Sequence, residues 1–210
     1  MTVKFAPRQR TPVRFAFRLR IAFANVATRF NSVVSPPTMK SKLLALFSFG
    51  LASVAFAAPA TVQLSNVHLC CDSCVKGVDK VMATVTGAMA KSDKDGETVA
   101  ITATDKATAQ KAVNALVAAG YFGVSNDPSI KVESSTGATA AKVQSLDVTG
   151  VHLCCKKCVT AVNEAISAVP GVKANTAAKD AKTFAVTGDF KPTDVFAALQ
   201  KAGLTGHAGK

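Results

Sequence analysis

The sequence has no tryptophan and a single tyrosine, Tyr121, in 210 residues. No arginine follows Arg29, and no cysteine lies outside two short clusters at 70–74 and 154–158. Each absence narrows the function. The formal net charge of +12 suggests a polyanion partner until its distribution is read. Residues 1–38 hold Lys4, Arg8, Arg10, Arg14, Arg18, Arg20 and Arg29 and no acid, and Lys40 and Lys42 follow. From Ala58 onward 16 lysines face 13 acids, a net +3. That is an ordinary mixed surface, and nucleic-acid binding is not expected. There is no Gly-x-Ser-x-Gly, no phosphate loop and no Ser-His-Asp constellation, and Asp93 and Asp95 fall in a turn. Enzyme activity is therefore not expected.

The segment from Met39 is a short basic start, an apolar run to Ala57 and then Ala-Pro-Ala. Small residues at −3 and −1 (Ala55 and Ala57) complete a secretory signal with Ala58 as the first mature residue. The apolar run is shorter than the roughly 18–20 residues that span a bilayer. Residues 39–57 are thus read as a signal peptide and the product as periplasmic or secreted, its mature form not membrane-embedded. The Arg-rich segment 1–38 resembles a presequence, but a complete signal begins at an internal Met, so 1–38 is read as a non-translated or disordered leader.

What remains is an internal repeat. Val-His-Leu-Cys-Cys at 67–71 recurs at 151–155, an offset of 84. The same offset carries Cys74 onto Cys158, Val78 onto Val162 and Met82 onto Ile166, and later matches drift by one residue where loops belong. Each copy reads β-α-β-β-α-β. Val62, Leu64 and Val67, and their twins Leu146, Val148 and Val151, mark a first strand. Val75, Val78, Met82 and Val85 mark one face of a helix stopped by Gly87. Lys94-Asp95-Gly96 marks a hairpin turn before Thr98, Val99 and Ile101. Ala109, Ala112, Val113, Leu116 and Val117 mark a second helix ended by Gly120. Its twin starts at Pro192 and ends at Gly203. A short, weakly marked last strand follows. The expected domains are 58–132 and 143–210, joined by a linker at 133–142. Units of about 70 residues lie near the lower limit for an unaided core, so a metal or disulfide staple would help them.

Exported proteins can carry disulfides, yet a framework fits this pattern poorly. Cys71 with Cys74, or Cys155 with Cys158, closes only a local loop that restrains little chain entropy. A C-x-x-C pair at a helix start can instead converge on one ion. The helix N-terminus favours the thiolate form that binds metal. Soft sulfur selects Cu(I), Zn(II), Cd(II) or Hg(II) over Mg or Ca. Within one loop His68, Cys70, Cys71 and Cys74 offer up to four donors, as do His152, Cys154, Cys155 and Cys158. Adjacent strand cysteines point to opposite sides, so Cys70 and Cys154 can be ligands or buried apolar residues, and the histidines can be ligands or exposed strand residues. His207 has no counterpart and is expected to be exposed. Lys156-Lys157, opposed to Asp72-Ser73 in the first copy, should lower the neighbouring thiol pKa.

These residues resemble the heavy-metal-associated domain family, with its G-M-x-C-x-x-C loop between the first strand and helix. The resemblance spans about 60–126 and 143–209 and places Cys71, Cys74, Cys155 and Cys158 at the ligand pair and Gly120-Tyr121 at the Gly-Tyr after the second helix. It implies an α+β chain of two tandem ferredoxin-like βαββαβ domains behind the signal peptide. It also implies a chain like the copper chaperones or the periplasmic mercury-scavenging protein, which sequesters or transfers a thiophilic ion. The partner it implies is a membrane metal transporter or another metal-binding domain. Two departures stand out: no Met stands in either cysteine loop, and Leu204 and Thr205 replace the tyrosine region in the second copy. The competing chemistry is a thiol–disulfide protein using the same C-x-x-C pairs. The residues leave open whether the two cysteine loops meet or lie apart.

Overall fold

Alternation of buried and exposed residues fixes each sheet. In β3 (Thr98–Ala103), Val99, Ile101 and Ala103 point into the core; in β7 (Thr183–Phe190) Phe184, Val186, Gly188 and Phe190 do the same. The structure is a computed structural model and describes residues 58–209. The leader at 1–38 and the signal peptide at 39–57 lie outside the described residues.

The first unit runs β1 (Ala60–Ser65), α1 (Asp72–Met82), β2 (Ala88–Asp93), β3, α2 (Lys106–Ala118) and β4 (Val124–Ser125). The second runs β5 (Val143–Thr149), α3 (Lys156–Ser167), β6 (Val172–Asn175), β7, α4 (Pro192–Lys201) and β8 (His207–Ala208). Each sheet is antiparallel, in the orders β2-β3-β1-β4 and β6-β7-β5-β8. With one helix after the first strand and one after the third, this is the ferredoxin-like βαββαβ arrangement, twice. Register pairs Val62 with Ile101 and Leu64 with Val99 in one sheet, and Leu146 with Val186 and Val148 with Phe184 in the other. These cross-strand apolar pairs lie on the buried face that the helices cover.

The second helix of each unit follows the expected pattern. In α2 the buried residues are Ala109, Ala112, Val113, Leu116 and Val117. Asp105 caps it, accepting from the Thr108 backbone N–H at 2.8 Å. Pro192 occupies the first turn of α4. The first helices differ from expectation. The face of α1 that is buried is Cys74, Val78 and Met82, spaced i, i+4, i+8, while Val75 and Val85 are half-buried. The same holds for Cys158, Val162 and Ile166 in α3. Helix α1 ends at Met82, and Gly87 lies beyond it, in the turn before β2. Residues 133–142 are not a free tether: the Ala208 N–H donates to the Thr136 carbonyl at 2.7 Å and Thr205 Oγ1 to Ser134 Oγ at 2.8 Å. Among the described residues no helix is long and apolar enough to cross a membrane.

The two units pack on one another with approximate twofold correspondence. Thr205 N–H donates to the Gly120 carbonyl (3.0 Å), and His68 N–H and Phe122 N–H donate to the Gly203 carbonyl (3.2 and 3.1 Å). Tyr121 and Leu204 pair as an antiparallel bridge. Gly120, with φ +88°, lies so close to Gly150 and His152 that a Cβ would stand 2.5 Å from the Gly150 carbonyl oxygen. Gly203, with φ +74°, meets Asn66, Val67 and His68, and its Cβ would stand 2.5 Å from His68 N. Each repeat thus presents the same glycine to the same loop of the other, as the protomers of an isologous dimer do. The contact is built from the glycines that end α2 and α4, and it sets the two cysteine loops against each other.

Candidate metal centre

Cys71 and Cys155 occupy the N-cap positions of α1 and α3 in extended conformation. Cys74 and Cys158 follow on the first turn, where their Sγ atoms point to the core face and are fully buried. Cys70 and Cys154 precede the caps and are half-buried.

All six thiols form one cluster. Within the first loop Cys74 Sγ lies 3.6 Å from Cys70 Sγ and 3.8 Å from Cys71 Sγ. Within the second, Cys158 Sγ lies 3.8 Å from Cys154 Sγ and 3.6 Å from Cys155 Sγ. Across the units Cys70 approaches Cys155 at 3.3 Å and Cys158 at 3.5 Å, while Cys74 approaches Cys154 at 3.4 Å and Cys158 at 3.8 Å. All six cysteines are free. A tetrahedral ion with sulfur at about 2.3 Å separates its ligands by about 3.8 Å, so this spacing matches thiolate ligation. Sets of three donors able to hold an ion include Cys70–Cys71–Cys155 and Cys71–Cys74–Cys154, each drawing on both units, and Cys154–Cys155–Cys158. The cluster can hold a thiophilic metal.

Cys70 and Cys154 are therefore brought into the cluster rather than withdrawn as apolar filler. The residues before the caps bend out of the strand, so strand alternation does not govern them. Lys156 and Lys157 are exposed on the outer side of α3. The cross-unit contacts answer the question the residues left open, whether the two loops meet: Cys155 and Cys158 touch Cys70 as closely as they touch one another.

Charge in the cluster is shared unequally. Cys74 is held well below the usual thiol range, chiefly by the Cys158 thiol donating to it, against the cost of burial, with His152, Cys154 and Cys70 adding to the effect. Cys158 is pushed up correspondingly, by that same contact and by burial. Burial also pushes Cys70 and Cys154 up. Cys155 resists the same burial and is lowered to about 7, through the hydrogen bond with the Cys158 backbone and contacts from Cys70, Cys158 and Cys71. Six bare thiolates at these distances would repel strongly, so the metal-free cluster keeps most of its protons. A soft cation, if bound, would replace them and supply the missing positive charge.

The two histidines are not equivalent. His152 Nε2 is 3.1 Å from the oxygen of the Tyr121 hydroxyl, whose O–H donates to the Cys74 carbonyl at 2.9 Å, and the two rings lie 4.5 Å apart. Burial, and then the neighbouring thiolates, push the Tyr121 phenol up, so it stays a neutral donor. Tyr121, at the Gly-Tyr position of the first copy, is thus bonded to the cysteine loop of its own unit. On the opposite side Leu204 takes the tyrosine's place and offers no hydroxyl. Among the described residues, His68 Nε2 is buried without a hydrogen-bond partner. Burial holds the His68 imidazole below its ordinary value, and hence neutral. His207, expected to be exposed, is half-buried in β8 and bonded through Nδ1 to the Ser135 carbonyl at 2.9 Å.

Sequence reasoning did not find the sharing of the cluster, or the roles of Gly120 and Gly203 in bringing the units together. The available signal was the pair of glycines at matching repeat positions, which were read only as helix stops.

No protein-family model matches the chain, and no curated protein matches it. Among solved structures, the chain is similar to the N-terminal domain of PacS from Synechocystis PCC6803, at 23% identity over 32% of this chain and all of that one, with a TM-score of 0.29. It is also similar to the N-terminal soluble domains of Bacillus subtilis CopA, at 15% identity over 73% of this chain and 95% of that one, with a TM-score of 0.27. A third likeness is to the first two RRM domains of yeast poly(U) binding protein Pub1, at 11% identity over 71% and 98%, with a TM-score of 0.21.

Proposed function

We propose that this chain is an exported protein that sequesters thiophilic metal in one thiolate cluster shared by its two repeats. The observation that carries the reading is the convergence of six free thiols from both loops, with cross-unit separations of 3.3–3.8 Å. Six sulfurs exceed the needs of one four-coordinate ion, so bridging sulfur and more than one ion per chain are expected. Ligation dominated by sulfur favours Cu(I) or Zn(II), with Cd(II) and Hg(II) as the other candidate cargo. Burial of Cys74 and Cys158 favours holding over rapid exchange, so delivery to a membrane transporter or another metal-binding domain would require the units to part. The chain acts as a binding protein and not as an enzyme, and the segment 39–57 directs it to the periplasm or outside the cell.

Native mass spectrometry of the protein purified from the exported fraction, with and without reductant, tests this. The expected species begins at Ala58, carries metal, and loses it when Cys71, Cys74, Cys155 and Cys158 are changed to Ser. A second reading, thiol–disulfide exchange, is favoured by the 3.3 Å approach of Cys70 and Cys155. A metal-free protein two to six protons light, which takes up no Cu, Zn, Cd or Hg after reduction, would establish that reading instead.

A further inference from the structure

We infer that the cluster has a nitrogen-bearing subsite that crosses the two units: His68 and Cys70 from the first repeat with Cys158 from the second, and no equivalent on the His152 side. This inference rests on the metal-binding reading of the cluster and adds to it a ligand set and an asymmetry.

Three observations carry it. A ring nitrogen of His68 and the sulfurs of Cys70 and Cys158 lie within 4.8 Å of one another, close enough to converge on one ion. Nε2 of His68 is buried and unpartnered, and a buried polar atom left in that state normally has an unseen partner. The copy-related nitrogen, Nε2 of His152, is already engaged by the Tyr121 hydroxyl. The asymmetry is set by one position of the repeat, tyrosine at 121 and leucine at 204. In one half the hydroxyl occupies the imidazole; in the other nothing does.

Access agrees with the assignment. A cleft of about 630 Å³ runs between the units at this side, lined by His68 and Glu97 of the first and by Glu164, Asp194 and Lys201 of the second. Its three carboxylates outnumber its one ammonium, so the mouth favours cations. An ion reaching the cluster from this cleft meets His68. A neutral imidazole with two thiolates suits Zn(II) or Cd(II) better than a purely two-coordinate ion.

The test is ¹¹³Cd and ¹⁵N NMR on the intact, reduced, cadmium-loaded protein, with ¹⁵N-labelled histidine. The expected result is metal-to-nitrogen coupling at His68 and none at His152, and a cadmium resonance shifted away from the purely sulfur-ligated position. His68→Ala should abolish that resonance while other cadmium signals persist, and His152→Ala should leave it in place. Coupling at His152, sulfur-only resonances in the wild type, or an unchanged spectrum in His68→Ala would overturn the inference and leave the shared thiolate cluster standing. A wild-type protein that takes up no cadmium would sink the metal reading itself, and this subsite with it. Because the decisive coupling is read in the wild type, a poorly folding variant does not blur the outcome.

Discussion

The sulfur atoms of Cys70 and Cys155 lie 3.3 Å apart although 85 positions separate them in the chain. That contact exists only while the two repeats are docked, so it reports on docking. Cys155, lowered to about 7, supplies thiolate at neutral pH and is the attacking sulfur. Mild oxidation of the metal-free protein with diamide should therefore form a Cys70–Cys155 disulfide early, the two thiols giving up their hydrogens to the oxidant. Peptide mapping after proteolysis checks it. Bridges confined to Cys71–Cys74 and Cys155–Cys158 would show that the loops do not meet in solution.

The same docking depends on two missing side chains. Gly120→Ala and Gly203→Ala each place a Cβ about 2.5 Å from backbone atoms of the other unit, at positive φ. The conformational cost alone is about 1–3 kcal/mol, and the clash adds to it. Each substitution should push the units apart while leaving both sheets intact. Small-angle scattering should show a larger radius of gyration, and the Cys70–Cys155 cross-link should fall away. A cross-link yield equal to wild type in both variants would mean that the glycines matter only as helix ends.

Tyr121 joins the cluster to its surroundings through one oxygen. Tyr121→Phe removes the donor to the Cys74 carbonyl and the partner of His152 Nε2 together. The ring still fills its place in the core, so the loss isolates the hydroxyl. Leaving such groups unpaired should lower stability by about 1–3 kcal/mol, measured by urea unfolding of the reduced, metal-free protein. A double-mutant cycle with His152→Ala should show coupling, because part of the cost is the orphaned imidazole.

Much of this fold was legible in the residues, and the reason is local. The apolar spacing of α2 is a matter of 3.6-residue periodicity within 13 residues, and Pro192 and the Lys94-Asp95-Gly96 turn are equally short-range signals. The face of α1 was misread because Cys74 counted as a ligand and was left out of the apolar stripe, whereas it is the first residue of the buried stripe Cys74–Val78–Met82. The site was legible as to residue type and not as to partnership. Nothing in either loop says that Cys70 touches Cys158. That contact follows from Gly120 and Gly203 docking the repeats, and docking of two surfaces leaves no period in a sequence. Tyr121 and Leu204 do differ visibly between the copies, but the difference acquires meaning only once Tyr121 is seen to face the other unit's histidine, His152.

Asp105 gives a prediction of a different kind, on acid stability. Its carboxylate is held below the usual range, first by the Thr108 backbone N–H and then by the Thr108 hydroxyl. A carboxylate depressed by folding adds stability that is complete above its unfolded value, about 3.9, and is lost as the pH falls through the lower folded value. Asp105→Ala should thus melt at a lower temperature than wild type at neutral pH, and the gap should close on acidification below about pH 4. A gap that persists unchanged into that range would mean the aspartate acts through something other than its charge at the helix start.

The strongest separation between one shared centre and two private ones comes from damaging a single repeat. With Cys155→Ser and Cys158→Ser together, Cys70, Cys71 and Cys74 remain chemically intact, and a first site of its own would keep its ions with undiminished affinity. In the shared cluster Cys70 loses neighbours at 3.3 and 3.5 Å and Cys74 one at 3.8 Å, so the ions held by the first loop lose sulfur as well. Competition with a chromophoric chelator should therefore show the untouched repeat giving up its metal more readily than it does in wild type. The mirror variant, Cys71→Ser with Cys74→Ser, should weaken the second loop in the same way, since its contacts run through Cys74 to Cys154 and Cys158. Fluorescence-independent checks of folding, such as the circular dichroism of the two sheets, keep the comparison clean. If either variant's intact loop holds metal as tightly as before, the two loops bind independently and the docking of the repeats serves some other end.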